Sequence, residues 1–197
     1  MTPATLSAGD DIPSGAQPIE VRVPELARLF NAIDPSPFRE RDLDPAAEEF
    51  IIDWSRDLPA DAPLALIVYL SRSRSADEVA VLRDAVRENF ERRAVTARRT
   101  LRELFRRGRV SLLIGLGALA ASVTLGDLLR TLLPSGGVGS LLSESILIGG
   151  WVAMWRPLEI FLYDWWPIRA DERLFLRLRD MPVRIVYEET APTSERE

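Results

Sequence analysis

Two long apolar stretches constrain the fold of this chain more than any other feature of its sequence. Residues 110–126 (VSLLIGLGALAASVTLG) include no charged side chain, and a second apolar stretch follows at 141–163. An α-helix needs about 20 apolar residues to cross the ~30 Å hydrocarbon layer of a bilayer. We therefore predict a transmembrane hairpin over 110–163, with its two helices at 110–132 and 141–163.

The basic residues on either side of the hairpin predict its orientation. Arginines are dense before the first stretch and recur after the second, whereas the connecting segment TLLPSGGVGS has none. Because Lys and Arg accumulate on the cytoplasmic side of short flanks, we expect both termini in the cytoplasm. The side chains expected to anchor the hairpin at the inner interface are Arg106, Arg107, Arg109, Trp165 and Trp166.

The arginine flank also predicts a partner, namely a lipid bilayer with anionic headgroups. Each basic residue near such a surface contributes on the order of 1 kcal/mol to membrane attachment. Anchoring is the expected role, and a regulated electrostatic switch is the alternative.

Small residues recur at four-residue intervals in both predicted helices. They are Gly117 and Ala121 in the first helix, and Ser145, Gly149 and Ala153 in the second. This spacing stacks small side chains on one helix face, which allows helix backbones to approach closely in lipid. We expect these faces to pack the two helices of the hairpin together. Packing between copies of the chain, which would give a homo-oligomer, is the alternative.

Charged residues within or beside the predicted helices are candidate functional sites. They are Asp127, Arg130, Glu144, Arg156 and Glu159. An ionisable residue in a membrane helix is a functional-site hypothesis by default. Arg130 and Glu144 fall at similar depth near the outer surface, and Arg156 precedes Glu159 by three residues, so two ion pairs are expected. Because all of these residues lie toward the membrane edges, structural pairing is favoured over an ion or proton path.

The rest of the chain predicts a small α+β domain that the hairpin interrupts. Residues 19–23 (IEVRV) alternate as a half-buried strand does, and 63–70 (PLALIVYL) suit a central strand buried on both faces. Residues 181–187 (MPVRIVY) predict a last strand that returns to the same sheet. A helix over 45–57 has apolar residues on one side, which we expect to be its packed face: Ala47, Phe50, Ile51, Trp54 and Leu58.

These elements give the expected organisation of the chain. A cytoplasmic α+β domain covers 18–107 and includes a long stalk helix at 75–109, and residues 164–188 complete it with a helix and a strand. Polar composition predicts disordered tails at 1–17 and 189–197. The first of these has neither the basic nor the apolar region of a signal peptide.

Composition excludes several kinds of chemistry. The chain contains no Cys and no His, and all 25 of its basic residues are Arg. A Ser-His-Asp triad, a thiol nucleophile, an imidazole or thiolate zinc site and a lysine Schiff base are therefore excluded. No spacing singles out a catalytic pair among the 30 Asp and Glu residues. We expect no enzyme activity, no cofactor and no metal.

The leading functional hypothesis is a membrane-anchored adaptor or scaffold that binds a protein partner through its cytoplasmic domain. The alternatives are an oligomeric channel or transporter accessory subunit that uses the polar hairpin residues, and a carboxylate enzyme at the membrane surface. Nucleic-acid binding is not expected, since the net charge is -5 and the arginines lie beside the membrane. The architecture is similar to that of many small bacterial inner-membrane proteins, so the inner membrane is the expected location, but this likeness implies no function.

Overall fold

A computed structural model describes residues 6–31, 42–71, 77–132 and 137–188, without the side chains of residues 6 and 138. The expected α+β fold with one small sheet is confirmed. The start of the predicted stalk helix at 75–76 and the tail at 189–197 lie outside the described residues. The elements are β1 (Leu6–Gly9), β2 (Gln17–Val23), a 3-10 turn (Leu26–Leu29), α1 (Pro45–Arg56), β3 (Leu64–Leu70), α2 (Glu78–Leu132), α3 (Gly137–Glu159), a π-helical segment (Ile160–Asp164), α4 (Trp165–Arg179) and β4 (Val183–Tyr187).

The strand that follows the hairpin joins the same sheet as the strands that precede it. The order across the sheet is β1-β4-β3-β2. β2, β3 and β4 are mutually parallel, with Ile19 opposite Leu66 and Val68 opposite Ile185, whereas β1 is antiparallel to β4. Parallel neighbours need a long crossover connection, usually a helix. Here the crossover from β3 to β4 consists of α2, α3, the π-helical segment and α4, so the apolar hairpin is an enlarged crossover.

The core of the sheet domain forms between the sheet and the first turns of α2. β3 lies inside the sheet, between β2 and β4. One face of it is buried, with Val68 and Leu70 fully inaccessible, whereas Ile67 and Tyr69 on the other face are half-buried, so the prediction of burial on both faces is wrong for the second face. Leu82, Val86 and Phe90 recur at helical spacing along α2 and pack into the same core cluster. The Asp44 carboxylate accepts a hydrogen bond from the Ala46 backbone N–H at 2.9 Å, which caps the start of α1.

The prediction of a disordered tail over 1–17 is wrong for its described part, because β1 lies within it. The Asp10 carboxylate explains the order: it accepts hydrogen bonds from the Arg83 guanidinium and, at 3.1 Å, from the Val183 backbone N–H. Gly9 has a φ of +127°, and a Cβ there would lie 2.4 Å from the Val183 carbonyl oxygen. β1 is too short and too exposed to show an alternating apolar pattern, so backbone pairing and one carboxylate hold it.

The chain divides into two compact units. The sheet domain comprises residues 1–95 and 172–197, and the hairpin unit comprises 96–171. Two helical runs, Glu78–Leu132 and Gly139–Arg179, are long and apolar enough to cross a membrane. The predicted boundary between a stalk helix and a membrane helix near Gly108 is not a break, since α2 is continuous through it. Likewise, the second apolar helix starts at Gly137 rather than at 141, and the helix predicted within 164–188 starts at Trp165.

Candidate functional site: the apolar hairpin

The large apolar side chains of the hairpin unit face outward. Leu113, Trp151 and Trp155 are 71%, 63% and 69% exposed. Further exposed side chains of this kind are Val110, Ile114, Leu116, Val123, Leu125, Leu128, Leu132, Leu141, Leu142, Leu147, Ile148, Val152, Leu158 and Leu162. A contiguous apolar surface of this extent is rare on monomeric soluble proteins and indicates a membrane or a binding partner.

The contact between α2 and α3 is made by small residues. A Cβ added to Gly150 would lie 2.7 Å from the Ser122 Cβ, and one added to Gly126 would lie 3.0 Å from the Ser143 Oγ. At Gly115 the nearest atom would be the Met154 Sδ, at 3.0 Å. Glycine therefore sets how closely the two backbones approach.

This contact follows a seven-residue spacing. Gly108, Gly115 and Ser122 are seven apart on α2, and Ser143, Gly150 and Pro157 are seven apart on α3. A period of 3.5 residues keeps one seam of each helix facing its neighbour along the whole contact, as in a coiled coil.

The predicted small-residue faces do not form this seam. A Cβ at Gly117 or Gly149 would meet nothing within 4 Å, and Ala121 and Ser145 are exposed. Only Ala153 reaches the seam, where its carbonyl oxygen lies 3.1 Å from a Cβ built on Gly115. The prediction of intramolecular packing through Gly117 and Gly149 is wrong, because Gly117 is rotated by about 200° from Gly115, and Gly149 by about 100° from Gly150, which lie on the seam. Packing of this second face between copies stays a prediction.

Of the two expected ion pairs, one is present. The Arg156 Nη1 donates to the Glu159 Oε2 at 2.9 Å, and the Arg156 Nη2 lies 3.6 Å from the Asp164 Oδ2. These residues flank Pro157 and the π-helical segment, where the regular backbone bonding of the helix is interrupted. Nearby, the Trp165 indole N–H donates to the Phe161 carbonyl at 3.0 Å and satisfies a backbone acceptor there.

The expected pair of Arg130 with Glu144 is not formed. Gly126 lies level with Ser143 in the antiparallel neighbour. Arg130 is four residues nearer the turn and Glu144 is one residue farther from it, so the two are about 7.5 Å apart along the helix axis. Glu144 is also rotated by about 100° from Ser143, which faces α2. Both side chains are exposed, and so is that of Asp127. The Thr131 hydroxyl donates a hydrogen bond to the backbone carbonyl of Asp127 and not to its carboxylate.

The predicted interfacial anchors are mostly exposed. Arg106, Arg107 and Arg109 are exposed, as is Trp166 at 64%, whereas Trp165 is half-buried and stacks obliquely on Trp166 at 5.4 Å. The Arg107 Nη2 lies 4.0 Å from the Glu103 Oε2, a long and solvent-exposed pair of little strength.

The sheet domain has an exposed aromatic patch on α1 that the sequence did not predict. Phe50 and Trp54 were expected on the packed face, but they are 43% and 48% exposed, with ring centroids 5.9 Å apart. Ile51, Ile52 and Ser55 are buried instead. The apolar arc of α1 is wider than the face that the core covers, so apolar spacing alone could not show which part is packed.

Charge on the other side of α1 is paired. The Arg93 guanidinium donates to both oxygens of the Glu48 carboxylate, at 2.5 and 2.7 Å, and this hydrogen bonding raises the pKa of Arg93. Within the described ranges, no three Asp or Glu side chains converge on a point where a metal ion would sit.

Comparison of the chain with known protein families, with curated proteins and with solved structures gives no match.

Proposed function

We propose that this chain is a non-catalytic integral membrane protein that acts as an adaptor or scaffold, anchored by the hairpin and binding a partner through its sheet domain. The observation that carries the proposal is the outward orientation of the large apolar side chains in the hairpin unit. In the apolar windows of the two helical runs, only 11% and 17% of residues are buried. A core helix of a soluble protein would bury most of such a window.

The arginine distribution supports a cytoplasmic location for the sheet domain and both termini. Arginines lie in α2 before the first apolar window and in α4 after the second. The sequence of the connecting segment, TLLPSGGVGS, has no basic residue. Positive flanks are retained in the cytoplasm, so the hairpin would cross the inner membrane twice.

The aromatic patch supports the adaptor role. Exposed Phe50 and Trp54 are of the residue class that concentrates binding energy in interfaces. The carboxylates of Glu49 and Asp53 lie beside them on α1 and are also exposed. Complementarity then favours a partner protein with an apolar pocket and a basic rim.

Single-cysteine labelling tests the anchor and its orientation. The chain has no Cys, so Ser71→Cys in the sheet domain and Ser140→Cys near the start of α3 each introduce one thiol at an exposed position. With a membrane-impermeant maleimide, we expect labelling of Ser140→Cys in intact cells and of Ser71→Cys only after permeabilisation. Recovery of the protein in the soluble fraction, or the reverse labelling, would overturn this part of the proposal.

Site-specific crosslinking tests the adaptor role. A photo-reactive residue in place of Glu49, activated in native membranes, should give one discrete adduct that disappears in the double variant Phe50→Ala/Trp54→Ala. Val95→Ala is the matched control, because Val95 is another exposed apolar side chain of the sheet domain, at 38%. An adduct of twice the chain mass would identify a second copy as the partner, and the absence of any aromatic-dependent adduct would refute the adaptor role.

A further inference from the structure

A shallow groove lies on α2 where its basic flank meets its apolar span. It has a volume of about 360 Å³ and is lined by Arg106, Arg107, Val110, Ser111 and Ile114. All of these belong to one face of one helix, since residues three to four apart stack above each other. The residues at the seam with α3, among them Gly108 and Gly115, are not part of this lining.

The basic end of the groove is free to bind an anion. Among the described residues, Arg106 has no ion pair, and Arg107 has only the 4.0 Å contact with Glu103. Arginine presents a planar fork of N–H donors that matches the oxygens of a phosphate. The half-buried Ser111 adds a hydroxyl donor one turn along from Arg107.

The other end of the groove is apolar. Val110 and Ile114 are 54% and 68% exposed and follow Arg106 at one and two turns. Positive charge therefore gives way to apolar surface over about 12 Å of helix. A soluble anion would leave the apolar end uncovered, whereas an amphiphile matches both ends.

We infer that this groove binds an anionic phospholipid, with the headgroup phosphate between Arg106 and Arg107 and one acyl chain along Val110 and Ile114. The inference rests on the proposed membrane anchoring and adds a defined lipid site to it. It differs from general attraction of a basic flank to a charged surface because only some of the flanking arginines line the groove. Arg102 and Arg109 lie on the same flank and do not line it.

That distinction supplies a matched pair of variants. Arg106→Gln/Arg107→Gln and Arg102→Gln/Arg109→Gln remove the same charge from the same flank of the helix. Full-length protein in detergent micelles, stripped of lipid, is titrated with phosphatidylglycerol or phosphatidylcholine and followed by native mass spectrometry. We expect a preference for phosphatidylglycerol that falls about tenfold in the groove variant and less than about threefold in the control. Glu103→Gln should increase the affinity, since it removes the carboxylate that lies 4.0 Å from the Arg107 guanidinium.

The outcomes separate the lipid site from the anchor. Equal losses in the two double variants, or no preference for phosphatidylglycerol, would overturn the groove as a site while the protein stays in the membrane fraction. Displacement of the lipid by glycerol 3-phosphate at equal concentration would overturn the assignment to a lipid, since it would show that a soluble phosphate suffices. A protein that is soluble without detergent would instead overturn the proposed anchoring.

Discussion

The two parts of helix α2 place their side chains in opposite ways. In the sheet domain, Leu82, Val86 and Phe90 are buried to 0–1% exposure. In the hairpin unit, Leu113 and Ile114 are 71% and 68% exposed, and Gly and Ser recur where α2 meets the neighbouring helix. Along one helix, therefore, the large apolar side chains are first buried in a core and then exposed on the surface.

The difference teaches which force holds each part together. In water, burial of large apolar side chains stabilises a fold by about 25 cal/mol per Å² of apolar area. In lipid there is no such gain between helices, so close approach of backbones at small residues takes its place. The small inward residues of the hairpin unit therefore support the proposed membrane anchoring, and substitutions in the two parts should have different effects on stability.

Truncation of a large apolar residue should give the largest difference between the two parts of α2 in the free energy of unfolding. We expect Phe90→Ala to lower the free energy of unfolding of the sheet domain by about 3–5 kcal/mol, since it leaves a cavity in the core. Leu113→Ala should change stability by less than about 1 kcal/mol, because lipid or detergent would fill the space of the lost side chain if the hairpin is anchored as proposed. Denaturant unfolding of the full chain in detergent, with hydrogen exchange at the β4 amides, measures both.

Phe90→Leu keeps this test informative if Phe90→Ala fails to fold. Because it retains most of the volume, its effect should stay below about 1.5 kcal/mol. Equal destabilisation by Phe90→Leu and Leu113→Ala, together with burial of position 113 in exchange experiments, would refute the contrast between the two parts.

The second test concerns the small residues. Gly150→Val should destabilise the hairpin by about 1–3 kcal/mol, because a Cβ there would lie 2.7 Å from the Ser122 Cβ. Gly149→Val is its control: the change in helix propensity is the same, and a Cβ meets nothing within 4 Å. Resistance of the hairpin to SDS, followed by the fluorescence of Trp151 and Trp155, is the measurement.

The control variant also tests the second small-residue face. If Gly149→Val or Gly117→Val changes the oligomeric state in mild detergent, that face packs between copies. Equal destabilisation of the hairpin by Gly149→Val and Gly150→Val would contradict a seam that runs through Gly150 and not through Gly149.

Part of this architecture could be predicted from the sequence, and there are physical reasons why the rest could not. The apolar stretches, β2, β3 and β4 stand out because their composition or alternation is local. The helix seam could not be identified, because Gly117 and Gly115 are equally small and only the rotation of α2 against α3 distinguishes them. β1 could not be predicted, because it is ordered by backbone pairing with β4 and by the partners of Asp10. These residues are all far from β1 in the sequence. Arg130 and Glu144 do not pair because Glu144 lies farther from the turn and is rotated away from α2, and neither the register nor the rotation of the helices can be read from the sequence.

Ion pairs should show a smaller difference between the two parts. The Glu48 carboxylate is 9% exposed and binds Arg93, whereas the Glu159 carboxylate is 43% exposed and binds Arg156. We expect Glu48→Gln to lower the free energy of unfolding by about 1–3 kcal/mol, since it weakens the charge-assisted hydrogen bonds from Arg93 to the buried carboxylate. Glu159→Gln should lower it by less than about 1 kcal/mol. A double-mutant cycle with Arg93→Gln isolates the first pair, and a coupling energy near zero would contradict this ranking.

The smallest expected effect is the alkaline response of Tyr69 in the sheet domain. Burial, and secondly the negative charge of Glu20, raises the pKa of Tyr69 above its ordinary value of 10.0. The neutral phenol is therefore favoured in the folded state, so its contribution to stability is complete below about pH 10 and is lost as the pH rises through the folded-state pKa.

This response should be unusually clear in this chain. It has no Lys and no Cys, and Arg stays protonated, so its 3 tyrosines dominate the side-chain titration around this pH. In Tyr69→Phe, the urea midpoint of the sheet domain should fall less steeply with pH above about 10 than in the parent chain. Glu20→Gln removes the second cause and keeps the phenol, so tyrosinate absorbance should show the pKa of Tyr69 moving down while the ring stays in place. A steeper fall in Tyr69→Phe would show that the phenol is more easily ionised in the folded state, which is the opposite of what its burial requires.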